Sequence, residues 1–189
     1  QPDLARRNIG RLTAALGGAA QYRKARFQLD AIAERVFPEC LQLTENPFSP
    51  QALGSANFDS EGVATRVNSL VTDGVIQNYL LDSYAARKLN MTSTGHASGV
   101  HNLTLNDTGK TFDERLAAMH RGLLVTELLG HGVNNVTGDY SRGAAGFWVE
   151  NGKLDHAVEE VTIASNLGTM FKGIVEIGKD IDLRGSIRC

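Results

Sequence analysis

Residues 132–164 read GVNNVTGDYSRGAAGFWVENGKLDHAVEEVTIA. Asn151-Gly152 lies inside this β-rich segment. A type I′ turn needs positive φ at both central residues, and Asn-Gly is the pair that adopts it most readily. The stretch therefore predicts a long antiparallel hairpin. A second hairpin signal stands earlier, in GVATRVNSLVTDGVIQNYLL (62–81), where two β-rich runs flank Asp73-Gly74. LLVTELL (123–129) is a short unbroken apolar run and predicts a buried strand. Strands that arrive in hairpins, with helices between the groups, predict an α+β domain on a β-rich antiparallel sheet. Closure of that sheet into a barrel-like form stays open at this point.

The helices announce themselves by their ends. LARRNIGRLTAAL (4–16) places Leu4, Ile9, Leu12 and Leu16 on one loose apolar face, and Gly17-Gly18 supplies a stop in the left-handed conformation. Asp82 reads as the N-cap of a short helix in DSYAARKL. TFDE (111–114) is a capping box that predicts a helix to Arg121, ending at Gly122. Asn166 caps a last helix whose apolar positions are Leu167, Met170, Phe171, Ile174 and Val175. LQLTENPFSPQ (41–51) holds two prolines and reads as a connector.

The chain has 189 residues, enough for one domain with a real core. Its formal net charge of −2 gives no basic field for nucleic acid. No apolar run approaches the length of a membrane span. Cys40 and Cys189 make no CxxC pattern, which predicts two reduced thiols and a cytoplasmic location. The first residue is Gln1 and the last Cys189, so a fragment of a longer chain is expected.

Motifs for the common chemistries are missing. None of the five histidines is followed by glutamate, so neither HExxH nor HExxxH occurs. GxSxG, GxxxxGK[ST] and GxGxxG are also absent. STGHASGVHN (93–102) sets His96 and His101 five apart. That spacing leaves the rings off a common helix face and on opposite faces of a strand; only a loop around Gly99 unites them. Their expected role is to orient backbone in a glycine-rich turn by hydrogen bonding, not to share a metal. Ser141, Asp139 and the histidines contain the residue types of a triad, but a triad is defined by geometry. The densest candidate is TGDYSRGAAGFWVENG (137–152). It reads as a tight turn joining core strands, or as an edge that accepts an extended peptide. On the second reading Gly138 and Gly143 allow close backbone approach, Arg142 clamps a carboxylate, Tyr140 and Trp148 give flat apolar surface, and Asp139 and Ser141 flank the strip.

These segments resemble a known family. GVNNVTGDYSRGAAGFWVENG and VEEVTIASNL, with YRKARFQLD (22–30), FDSEGVATR (58–66) and SYAARKLNMTSTGHASGVHN (83–102), are similar in order to the C-terminal part of the TldD/TldE (PmbA) family, historically called modulators of DNA gyrase. The resemblance covers roughly residues 17–189, and the first helix (1–20) is the weakest match. It implies one domain, 1–189, from the C-terminal part of a longer chain. TldD-like members carry HExxxH and bind zinc with a downstream cysteine; TldE-like members lack that motif. Counting back from Arg23, the motif's place falls near Gly10 to Ala15, where no usual zinc ligand stands.

The resemblance thus implies a metal-free subunit, with no cofactor of its own and zinc in a TldD-like partner. The implied assembly is a heterodimeric peptidase acting on unfolded peptides, linked in the family to microcin B17 maturation and antitoxin degradation. A homodimer without the partner stays open. The competing expectations are a non-proteolytic binding module acting on gyrase or another regulatory protein, and a hydrolase in its own right using His96, His101 or Ser141.

Overall fold

Strand β1 (Leu43–Glu45) is the middle of a five-stranded sheet in the computed structural model, which describes residues 1–23 and 31–189. Its two neighbours, β2 (Asn68–Thr72) and β4 (Leu103–Leu105), both run antiparallel to it. β3 (Val75–Ile76) returns from β2, and β8 (Ile187–Arg188) closes the far side parallel to β4. The turn between β2 and β3 is the predicted one: Asp73 has φ 51° and Gly74 φ 73°. A Cβ on Gly74 would stand 2.1 Å from the Phe37 carbonyl oxygen, so glycine is needed there twice over.

A second, three-stranded antiparallel sheet holds β5 (Arg121–Leu129), β6 (Asp139–Glu150) and β7 (Lys153–Asn166), with β6 in the centre. Asn151 (φ 51°) and Gly152 (φ 74°) make the β6–β7 turn. The α+β class and the hairpins stand as read, but among the described residues the two sheets remain separate and no barrel closes.

Helix α1 (Pro2–Leu16) joins the two sheets. Its Ile9, Leu12 and Leu16 pack into the main core with Leu43, Leu70, Leu103 and Phe171. Its Leu4 packs with Leu128 and Ala144 of the second sheet. The short helices α2 (Gly18–Tyr22), α3 (Ser83–Lys88), α4 (Phe112–Ala118) and α5 (Leu167–Lys172) complete the order. The caps lie where the sequence puts them. Asp82 accepts from the Ala85 amide at 2.6 Å, Asn166 accepts from the Gly168 amide at 3.0 Å, and the Thr111–Glu114 box is complete.

Five expectations need correction. The proline-rich connector contains β1, because neither Pro47 nor Pro50 falls within its three paired residues. Gly17 is extended (φ −68°, ψ 143°) and Gly18 opens α2, so neither is a left-handed stop. Gly18 is small for another reason: a Cβ there would lie 2.3 Å from the Ala85 Cβ of α3. α4 ends at Ala118, and Arg121 and Gly122 already belong to β5. β5 is an outer strand with only Leu128 buried. α5 stops at Lys172, which leaves Val175 exposed rather than on an apolar helix face. Within YRKARFQLD (22–30), residues 24–30 lie outside the described residues.

Candidate functional site

The strip 137–152 becomes β6, and its place in the sheet decides what it can do. β6 pairs with β5 from Gly143 to Glu150 and with β7 along its length. Its first residues are flanked on the other side by the loop before it, through a Val133–Tyr140 bridge and a 2.6 Å bond from the Ser141 amide to the Gly132 carbonyl. β6 is therefore neither a turn nor a free edge, and strand addition directly onto it is blocked. The unpaired edges of this sheet belong to β5 and β7.

The individual side chains follow from that position. Arg142 is buried and spends its guanidinium on β5: Nε donates to the Leu129 carbonyl at 3.3 Å and Nη2 to the Leu128 carbonyl at 3.1 Å. It anchors a neighbouring strand instead of clamping a carboxylate. Gly143 faces Leu129, whose Cβ would be 3.2 Å from an added Cβ. Trp148 donates to Glu150 at 3.0 Å, with the Arg121 guanidinium 5.4 Å from its ring centroid. Gly138 turns the chain into β6 at φ 83°. Tyr140 is core. Asp139, Tyr140 and Ser141 alone of the strip line an open depression, together with Gly132–Asn135, Ala164 and Ser165. Asp139 accepts from the Thr137 hydroxyl at 2.5 Å.

His96 and His101 are brought together by the loop 93–102, with ring centroids 5.8 Å apart. Both are buried. His96 Nε2 lies 2.6 Å from Glu45 Oε2 and its Nδ1 2.8 Å from the Thr94 hydroxyl. His101 Nδ1 lies 3.2 Å from the Gly54 carbonyl and its Nε2 3.1 Å from the Gly95 carbonyl. The His101 amide donates to the other Glu45 oxygen. Glu45 itself is 1% exposed. Asp59 completes the junction by accepting from the amides of Glu61, Val63 and Ala97. Burial works to raise the Asp59 carboxyl, but those three donors and the charge of His101 outweigh it and hold the group below the usual aspartate range. Glu45 and Asp59 escape sequence reading because their partners, His96, His101 and Ala97, lie far away in the chain.

A zinc site needs a cluster of ligands. Among the described residues no group of three or more His, Cys, Asp and Glu side chains stands close enough to hold a metal ion. All four ring nitrogens of His96 and His101 already face protein atoms. Cys189 is buried and burial pushes its thiol up to about 11, so it keeps its proton at neutral pH. The described residues do not fit a bound zinc. None of their helices is long and apolar enough to cross a membrane.

Comparison with known proteins agrees with this fold. The description "PmbA/TldA metallopeptidase C-terminal domain" matches residues 1–189. Metalloprotease PmbA of Escherichia coli O157:H7 is 48% identical over 181 residues, covering 96% of this chain and 40% of the relative. A metalloprotease TldD homolog of Haemophilus influenzae is 26% identical over 165 residues, covering 80% of this chain and 34% of the relative. A crystal structure from Bacteroides thetaiotaomicron, described as a modulator of DNA gyrase, superposes with a TM-score of 0.93 at 35% identity, covering 100% of this chain and 43% of the other. The chain thus spans about two fifths of the length of the relatives it matches. It belongs to the PmbA/TldD metallopeptidase family and corresponds to that family's C-terminal domain.

Proposed function

We propose that this chain is the C-terminal domain of the metal-free, TldE-like subunit of a two-subunit peptidase, and that zinc and bond cleavage belong to a TldD-like partner. The observation that carries this reading is the residue content of one place in the fold. The family's HExxxH is expected near Gly10 to Ala15, which is the middle and end of α1. A Cβ on Gly10 would lie 3.9 Å from Ile187, two residues before Cys189. The C-terminal segment thus runs beside α1, with Ile187 next to Gly10 and Cys189 next to Pro2 at the helix start, while the motif's expected place carries Gly10, Arg11, Leu12, Thr13, Ala14 and Ala15. None of these is a usual zinc ligand. The higher identity to a PmbA than to a TldD homolog supports the same branch.

The hydrolase reading loses its candidates to burial. His96 and His101 have no open face, and Ser141 is not hydrogen-bonded to either. Of the predicted peptide strip, the depression around Asp139 and Ser141 is the part on which an unfolded peptide could lie. The test is reconstitution. The full-length protein and a TldD-like subunit are assayed on an unfolded peptide, separately and mixed. Cleavage that appears in the mixture and never with this protein alone is the expected result. A protein that cleaves alone, or that captures gyrase and never a TldD-like chain, overturns the proposal.

A further inference from the structure

β7 (Lys153–Asn166) bonds to β6 on one side, and among the described residues no strand pairs with its other side. It is 14 residues long, and only Val158, Val161, Ile163 and Asn166 are even half-buried. An edge of that length offers a row of unpaired N–H and C=O groups, which is a template for another strand. Apolar side chains accompany it. Leu154 is exposed on β7 itself, and exposed Phe147 lies across from Ala157.

Backbone groups accept any strand, so side chains must decide which one is admitted. VTIAS (161–165) holds no charge, proline or glycine and suits pairing. The middle of β7 is different. Ala144 pairs with Val161 and Gly146 with Val158, so Glu159 and Glu160 together oppose Ala145 in a bulge. Glu160 has φ 59°, and both glutamates are exposed.

The position of that bulge bears on a second copy as occupant. Twofold antiparallel pairing of β7 with itself over its full length sets Lys153 against Asn166 and Glu159 against Glu160. The carboxylates of both copies would then meet at the axis. Like charges directly opposite one another destabilise a strand pair, and opposite charges stabilise it. A second copy is therefore repelled, while a similar strand with lysine or arginine at those places is attracted. A TldD homolog matches 80% of this chain, so a TldD-like subunit brings a related domain.

We infer, resting on the two-subunit reading above, that the free edge of β7 receives the corresponding strand of the TldD-like subunit in antiparallel pairing. Glu159 and Glu160 select that partner by repelling a second copy of this chain. The partner's strand carries basic side chains opposite the bulge, and the apolar side chains beside the edge are covered on assembly.

The test mixes the full-length protein with a TldD-like subunit. Assembly is read by native mass spectrometry and amide exchange, and cleavage of an unfolded peptide is assayed in parallel. Amides of 153–166 should gain protection on mixing, while those of β1 and β2 keep the protection they had. The double variant Glu159→Lys/Glu160→Lys changes only exposed positions and should bind the TldD-like subunit about tenfold more weakly. Mixed with wild type, it should give a two-copy species that neither forms alone. A complex that assembles and cleaves while 153–166 stay unprotected, or whose affinity the double variant leaves unmoved, overturns this interface and leaves the two-subunit reading standing. Dimers of wild type alone, or no two-copy species in the wild-type and variant mixture, overturn the selection by charge. No complex with a TldD-like subunit at all overturns both readings.

Discussion

Cys189 and Asp59 are two residues whose surroundings make opposite demands on a proton. Cys189 lies buried with its Sγ 3.9 Å from the Pro2 carbonyl, and its thiol is pushed up to about 11. The thiolate is the reactive form. Iodoacetamide at pH 8 should therefore leave Cys189 unmodified in the folded protein and label it fully in denaturant, as read by peptide mass. Asp59 is held low, so its carboxylate stabilises the fold above the unfolded value. That contribution is lost as pH falls below about 4. Acid unfolding of the wild type should be steeper than that of Asp59→Asn, whose side chain does not titrate; equal pH profiles would remove Asp59 from the account. At this scale the sequence is legible only where partners are neighbours. Asp82, Thr111 and Asn166 cap helices through bonds three residues away or fewer. Glu45 finds His96 and His101 at separations of 51 and 56 residues, and no local pattern encodes that.

Among the elements, β1 shows how a strand can hide. It has three residues and lies beside Pro47 and Pro50, yet it is paired on both sides. Its Leu43 is fully buried. Leu43→Ala should cost about 2–5 kcal/mol, seen as a lower denaturant midpoint. A loss well below that range would mean that β1 is not the centre of the core. The hairpins were legible because Asp73-Gly74 and Asn151-Gly152 carry positive φ in the residues themselves. Gly18 was misread because its requirement is tertiary. Gly18→Ala drives a methyl onto Ala85 and should destabilise by about 1–3 kcal/mol. A neutral effect would show that α2 and α3 can separate freely. The strip 137–152 was recognised as the dense part of the sequence, but whether a strand is central or an edge depends on neighbours. β5 and the loop after it supply those neighbours, and local periodicity is blind to both.

At the scale of the whole molecule, α1 is the joint between the two sheets, and it is also where the family's metal motif would stand. The five-stranded sheet has its core beneath α1, while β7 has no fully buried residue. The class of fold was readable from hairpins and caps, whereas the separation of the sheets and the burial of the histidines emerged from packing. The central claim concerns metal. Zinc per chain in the full-length protein, purified alone, exposed to excess zinc and dialysed, is the most direct measurement. The account predicts zinc far below one ion per chain. One tightly held zinc per chain would contradict it, and would require ligands other than the engaged rings of His96 and His101.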